Sequence, residues 1–514
     1  MRTEIIGAKC QGVDAAKVTI EVDISQGMGV HLVGLADAAV KESLLRTITA
    51  LQSLGFRIPG KKIVINLAPA DMHKKGSGFD VPIALGIIAS SSQSELPYLG
   101  DYLIMGELGL DGSVRSIPGA LPMVELSQKE GLVGCILPED SALEAIDFAE
   151  VEVYGVNSLL DVIAVLSRAE GYESFLIENL EKQPLEKDAK TGQVYDAMDF
   201  SEIIGQESAK RGLEIAAAGG HNVIMIGPPG SGKTSLAKAM SRILPPMTRE
   251  ESLQTSKIYS VAGSRGRGLV RTRPFRAPHY SASLPALLGG GSDNISPGEV
   301  SLAHNGVLFI DELAETPRSL VEALRGPLED RKVVISRMKT KVEYPASFML
   351  IAASNPCPCG YYGEGDRCIC SPVRRMNYLS RLSGPLMDRI DVHLYLKPVK
   401  PGMIVSGTKA ESSEDILKRV LKARSVQERR FSEEGIFTNS QMNSRLLKKY
   451  CLLDSASEAY MEQTAERMGL SVRACTRVLK IARTIADMED SKDIKLSHLV
   501  EAVNYRFLDK RDFH

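Results

Sequence analysis

Three stretches of the chain differ in the rhythm of their apolar positions. From residue 1 to about 170, runs such as Lys17-Val18-Thr19-Ile20-Glu21-Val22 and Lys61-Lys62-Ile63-Val64-Ile65-Asn66-Leu67 largely alternate polar and apolar side chains, which predicts strands. Residues 38–54 and 79–89 carry apolar side chains at the spacing of amphipathic helices, so an α+β domain is expected over 1–170. Residues 171–200 include Glu181-Lys182-Gln183-Pro184-Leu185-Glu186-Lys187-Asp188-Ala189-Lys190, polar with few core candidates, and read as a linker. From 201 to about 400 the strands become unbroken apolar runs, Val223-Ile224-Met225-Ile226, Val307-Leu308-Phe309-Ile310 and Phe348-Met349-Leu350-Ile351-Ala352-Ala353, expected as the buried sheet of an α/β domain. Beyond 400, residues 417–430, 455–468, 472–488 and 496–507 return to helical spacing, with 402–413 as a flexible lead-in, so 401–514 is expected to be α-helical.

Bulk composition narrows the class without deciding it. The 514 residues exceed one core, and 44% hydrophobic with 25% charged residues is the balance of a globular protein. A net charge of −2 does not advertise nucleic acid, so any basic surface must be local. No apolar stretch reaches transmembrane length and the first residues lack a signal-peptide core, so no membrane partner and a cytoplasmic location are expected.

The sharpest chemistry lies between a strand and a helix former. Gly227-Pro228-Pro229-Gly230-Ser231-Gly232-Lys233-Thr234 follows Val223-Ile224-Met225-Ile226 and precedes Ser235-Leu236-Ala237-Lys238, the context a phosphate-binding loop requires. Glycines let backbone N–H groups turn toward a polyphosphate, and the helix N-terminus adds positive potential. Lys233 is expected on the β- and γ-phosphates of ATP, with Thr234 on Mg²⁺. Downstream, Asp311 and Glu312 end an apolar strand; Asp311 suits Mg²⁺ and Glu312 suits polarising the attacking water. Asn355, at the end of the next such run, suits a sensor of the γ-phosphate.

Two basic elements interrupt this plan. Between Ser252 and Ser292 there is no acidic residue, while Lys257, Arg265, Arg267, Arg271, Arg273 and Arg276 all fall there, with glycines at 263, 266 and 268. The segment is expected to be extended and mobile, and so one-sided a run attracts a phosphate backbone. The second element, 331–344, reads as a β-hairpin whose tip residues Arg337, Lys339 and Lys341 could grip DNA or simply face solvent. Cys357, Cys359, Cys368 and Cys370 form two C-x-C pairs eight residues apart, a spacing suited to structural Zn²⁺. Arg389 fits an arginine finger and equally an intrachain ion pair with Asp388 or Asp391.

Lys75-Gly76-Ser77-Gly78-Phe79-Asp80 with Gly106-Glu107-Leu108-Gly109-Leu110-Asp111-Gly112 resembles the Lon-type protease domain. The positions of that family's serine and lysine fall near Gly78 and Leu121, neither able to attack or deprotonate, so no working peptidase is expected. Pro297-Gly298-Glu299-Val300-Ser301-Leu302-Ala303-His304-Asn305-Gly306, running into the Asp311-Glu312 strand, resembles the Mg-chelatase-like AAA+ ATPases. With the Lon-like front and the four cysteines, nearly the whole chain is similar to the YifB/ComM family. The resemblance implies a Lon-like α+β domain, a P-loop AAA+ α/β core and a helical lid. It also implies a hexameric ATPase and a helicase driving branch migration of DNA, branched or single-stranded, during natural transformation. Ile203 and Ile204 match the segment that packs on adenine, Arg389 the arginine finger, and Arg473 a second sensor of the γ-phosphate. The competing expectation is a chelatase-type or protein-remodelling motor that engages a protein partner.

Overall fold

The computed structural model of the chain describes residues 2–509 other than 35–37, 73, 75, 181–197, 265, 292–294, 338–339, 383 and 399–409. Seven strands form the mixed sheet of the first unit: β1 (Arg2–Gln11), β2 (Asp14–Ser25), β3 (Gly29–Val33), β4 (Lys62–Ala68), β5 (Tyr102–Ile104), β6 (Gly134–Pro138) and β7 (Glu152–Val156). Their order is β3-β4-β2-β1-β5-β6-β7. The helices expected at 38–54 and 79–89 are Ala38–Ser53 and Asp80–Ser90. The second is buried along nearly its whole length because Gly86 lets it lie against the sheet; a Cβ there would stand 2.4 Å from Val22 Cγ2. The unit continues past the expected boundary at 170. Ile177 is buried in its core and donates its N–H to the Val153 carbonyl at 3.0 Å. Leu180 packs on the same core, and most of the expected linker beyond it (181–197) lies outside the described residues.

The second unit holds a five-stranded parallel sheet of β8 (Val223–Ile226), β9 (Phe275–Arg276), β10 (Val307–Ile310), β13 (Met349–Ser354) and β14 (Val392–Tyr395), ordered β9-β10-β13-β8-β14. Between β10 and β13 the chain makes a separate antiparallel hairpin of β11 (Lys332–Arg337) and β12 (Thr340–Pro345). The apolar runs are unbroken because both sheet faces are covered. Val223, Met225, Phe309 and Ile351 enter one core cluster, whereas Ile224, Ile226, Leu308 and Leu350 enter another.

The C-terminal helices are Ser413–Phe431, Ser444–Tyr450, Ser455–Met468, Val472–Met488 and Leu496–Asn504. The short second helix was not evident in the apolar spacing. Rather than forming a core of their own, these helices share one continuous apolar cluster with a face of the five-stranded sheet. A buried polar network adds a second tie. His221 Nδ1 meets Asp391 Oδ2 at 3.2 Å, its Nε2 meets Thr484 Oγ1 at 2.8 Å, and Arg477 donates to Asp391 Oδ1 at 2.7 Å. Burial alone would raise the Asp391 carboxyl, but Arg477 and His221 outweigh it and hold the group well below the usual carboxylate range.

Candidate functional site

The phosphate loop leaves β8 at the C-terminal edge of the sheet, with β13 and β14 on either side, where parallel α/β sheets place their ligands. Gly230 and Gly232 take left-handed φ values of +74° and +89°, and a Cβ on either would meet nothing within 4 Å, leaving an open cradle of backbone. The helix Lys233–Ala239 starts at the loop's end, so Lys233, Thr234 and Ser235 form its first turn, beside Pro228, Pro229 and Ser231 of the loop. Lys233 Nζ donates to the carbonyls of Gly227 at 2.7 Å and Pro228 at 2.9 Å and to Asn355 Oδ1 at 3.2 Å. Burial lowers its pKa, opposed by the nearby Asp311 and Glu312 carboxylates. Thr234 Oγ1 donates to Asp311 Oδ2 at 3.1 Å, so the two oxygens chosen for Mg²⁺ stand together. Glu312 is exposed and takes φ +51°, a left-handed conformation unusual for a residue with a side chain.

Gln206, which closes the segment Ile203-Ile204-Gly205-Gln206 expected on adenine, also makes a contact with the phosphate loop that the sequence did not reveal. With φ +62° at the head of the helix Glu207–Gly219, it donates from Nε2 to the Ser231 carbonyl at 3.1 Å and to the Lys397 carbonyl at 2.6 Å, pinning the loop to the segment just past β14. Beside it opens a cleft of about 810 Å³, lined by Gly205, Tyr395, Pro398, Glu501 and Tyr505 among others. Ile203 is buried in the core and Ile204 half-buried just before this cleft.

Arg389 and Arg473 come together away from these contacts. Arg389 pairs with Glu329, and donates to the Pro385 carbonyl at 2.7 Å, instead of pairing with Asp388 or Asp391. Arg473, at the start of Val472–Met488, donates to Asp388 Oδ2 at 3.3 Å; the Glu329 carboxyl is held down chiefly by its bond to Arg389, with Arg473 adding to it. The two arginines are therefore neighbours on the core and lid, each engaged with an acid of this chain.

The basic segment departs most from expectation. It is not extended throughout: its beginning belongs to the helix Arg249–Val261, capped reciprocally by Thr248 and Glu251. Its charges find distant acids. Lys257 donates to Glu125 at 2.5 Å, Arg271 pairs with Asp147 at 3.0 Å, Arg273 with Glu251 at 2.8 Å, and Arg276 grips Glu299 through two bonds of 2.6 Å. Arg267 also has an interaction partner, and Arg265 lies outside the described residues. The segment docks the motor on the first unit. Gly119 donates to the Ser260 carbonyl at 2.9 Å, Leu121 to Ser260 Oγ at 3.3 Å, and Gly268 to the Leu143 carbonyl at 3.0 Å. Leu121, near which the resemblance to Lon-type proteases puts the lysine, is thus a buried docking residue. At Gly78, near the expected serine position, a Cβ would press on Met105 at 3.1 Å. A second contact joins the units at the hairpin: Gly12, in the β1–β2 turn, lies so close to β12 that a Cβ would stand 2.8 Å from the Glu343 carbonyl oxygen.

On the β11–β12 hairpin, Val333, Ile335, Val342 and Tyr344 are buried, while Ser336 and Lys341 face solvent. The Arg337 side chain and all of Lys339 lie outside the described residues. Cys357, Cys359, Cys368 and Cys370 converge, all four sulfurs lying within 4.8 Å of one another, with pairs at 3.4, 3.8 and 3.7 Å. A tetrahedron of thiolates at ~2.3 Å from a metal has edges of ~3.8 Å, so the cluster has the size for Zn²⁺. No disulfide joins any of the eight cysteines. Burial pushes the Cys357 thiol up to about 12, whereas the Tyr361 N–H draws Cys359 down to about 6.

Comparison with known proteins agrees with this architecture. The family model described as magnesium chelatase, subunit ChlI, matches residues 199–404, with a second ChlI model over 20–141 and the ChlI C-terminal model over 410–506. YifB of Salmonella typhimurium is 42% identical over 98% of this chain and 96% of its own length. The competence protein ComM of Haemophilus influenzae is 41% identical over 96% of this chain and 95% of its own. The magnesium-chelatase 38 kDa subunit of Rhodobacter capsulatus is 27% identical over 34% of this chain and 54% of its own.

Proposed function

We propose for this chain, which belongs to the YifB/ComM family of Mg-chelatase-like AAA+ ATPases, the role of a ring-forming motor that binds and remodels DNA, as a branch-migration helicase does. The observation that carries the proposal is the position of the hairpin. β12 leads through three residues into β13, and β13 ends one residue before Asn355, which already touches Lys233, so two consecutive strands join the γ-phosphate sensor to the basic tip. The relative named a competence protein adds support from outside the structure.

Mg²⁺, when bound, supplies positive charge that neutralises the β- and γ-phosphates. The chain's residues do the rest. Thr234 and Asp311 would hold the ion, and Lys233 would exchange its carbonyl bonds for phosphate oxygens. Glu312 takes the proton of the attacking water, and Asn355 holds that water or the γ-phosphate. The cleft lined by Gly205 and Gln206, directly after Ile203 and Ile204 in the chain, is the place proposed for adenine. Arg389 and Arg473, adjacent on the core and lid, suit a neighbour's γ-phosphate, which is the reason to propose an oligomer and, from the family, a hexamer. Zn²⁺ in the cysteine cluster is structural in this reading, and the Lon-like unit is a docking platform rather than a peptidase.

A second reading is favoured by the paired arginines. Because Lys257 and Arg271 are engaged with acids of the first unit, and Arg273 and Arg276 with acids of the motor itself, the segment 252–292 can serve as interdomain cement in a motor of chelatase or protein-remodelling type. ATPase rates with branched, single-stranded and duplex DNA at two salt concentrations separate the readings. Salt-sensitive stimulation is expected; intact basal hydrolysis with no response to any DNA would overturn the DNA role.

A further inference from the structure

The four-cysteine cluster stands against the phosphate loop, and the contacts between them are specific. Gly360, inside the cysteine insert, has φ +85°, and a Cβ on it would stand 2.8 Å from Pro229 Cδ and 3.9 Å from Asn355 Cγ. Only a residue without a side chain brings backbone this close to the loop's outer wall. The turn that carries Gly360 is closed by its N–H to the Cys357 carbonyl at 2.9 Å, and Cys357 lies two residues after Asn355. On the far side, Tyr395 donates its hydroxyl to the Tyr362 carbonyl at 3.3 Å, and Arg375 stacks over the Tyr362 ring at 3.8 Å. Tyr395 is paired with Ile226, the residue from which the phosphate loop departs. The insert thus touches the loop's wall at Pro229, follows the sensor asparagine, and clasps the strand beside the loop's root.

We propose that metal closure of the Cys357–Cys359–Cys368–Cys370 cluster positions the phosphate loop and Asn355 for nucleotide, with Gly360 as the positioning residue that transmits it. The proposal rests on the reading of the site as an ATPase with structural Zn²⁺. Four thiolates drawn to one ion fix the turn 357–360 relative to 368–370, and the fixed turn is the surface on which Pro229 rests. Released from the ion, like-charged or separate thiols no longer hold the turn shut. The wall then gives way, and the Lys233–Asn355 contact loses its outer support.

The test uses the full-length chain. Zinc content and the affinity for a fluorescent ATP analogue are measured before and after mild chelation under reducing conditions, and again after adding zinc alone. Stripping should weaken nucleotide binding about tenfold and re-addition should restore it, because a displaced binding group loses most of its contact energy. Gly360→Val is the second variant: it keeps all four ligands and should retain zinc, yet bind nucleotide about tenfold more weakly. A zinc-free protein with its native melting profile and unchanged nucleotide affinity would overturn the proposal, and so would a Gly360→Val protein that holds zinc and binds nucleotide normally. If the wild-type chain binds the analogue but neither contains nor takes up zinc, the metal reading falls and this proposal with it, while the ATPase reading stands. If the wild-type chain holds zinc but binds no nucleotide, the ATPase reading itself fails, and with it the proposal.

Discussion

The phosphate loop and the segment from Ser252 to Ser292 carry equally conspicuous sequence signals, yet the tertiary structure treats them in opposite ways. In the loop, eight consecutive residues define a backbone shape suited to an anion: Gly230 and Gly232 adopt left-handed φ with open space around them. In the basic segment, a run of cations with no acid among them points back at the protein, with Lys257, Arg271, Arg273 and Arg276 each meeting a carboxylate. The partners Glu125 and Asp147 belong to a different structural unit. A motif that encodes its own geometry announces its ligand; a run of charge announces only that some counter-charge exists.

The comparison breaks most visibly at the loop. Lys233→Ala should cut ATP turnover by about 1000-fold, since a preorganised cation on the phosphates is removed; normal ATP binding and hydrolysis by that variant would dissolve the contrast. Glu312→Gln should lower turnover about 100-fold while leaving nucleotide affinity in place, because only the water-activating group changes. Single-turnover hydrolysis alongside equilibrium binding checks it.

Around the basic segment, including His304 packed beside Arg273, the expected effects fall on stability. His304 accepts from the Ser347 N–H at 3.0 Å and lies near Gln254, Glu251 and Arg273; burial pushes it down to about 4, with Glu251 pulling up and Arg273 down. An unfolded histidine titrates near ~6.5, so the contribution of the neutral, folded imidazole is complete above that pH. It is lost as pH falls from about 6.5 toward 4, at about 1.4 kcal/mol per pH unit for this group. Melting curves across that range in wild type and His304→Gln should differ in slope. Arg273→Ala, which strands Glu251 and the carbonyls of Pro245, Pro246 and Asn305, should cost about 2 kcal/mol in chemical denaturation. Arg271 is 77% exposed in its side chain, so Arg271→Ala should change stability by no more than about 0.5 kcal/mol. Because its structural cost is small, a reduction of about one in the salt slope of DNA binding by that variant would return this arginine to the nucleic-acid interface.

Legibility followed the same division elsewhere. The helices Ser455–Met468 and Val472–Met488 match the apolar spacing to the residue, because one face of each is buried and the pattern records it. Ser444–Tyr450 escaped, being too short for a period to show. The cysteine cluster was visible from its spacing; that it leans on Pro229 was not, since that contact joins residues 229 and 360 through space. Arg389 could be singled out, but its partner Glu329 lies sixty residues away and was not among the acids considered.

What the sequence determined by itself is whatever a short stretch of backbone can specify: the nucleotide loop, the carboxylates at the end of β10, the strand and helix periods, and the four thiols. Only the tertiary structure decided where the first unit ends, which acids neutralise the arginines, and how Leu121 and Gly12 fasten that unit to the motor. The physical reason is range. Dihedral preference and apolar periodicity act between neighbours along the chain, whereas ion pairing and close packing act between neighbours in space, and the fold alone determines which residues those are.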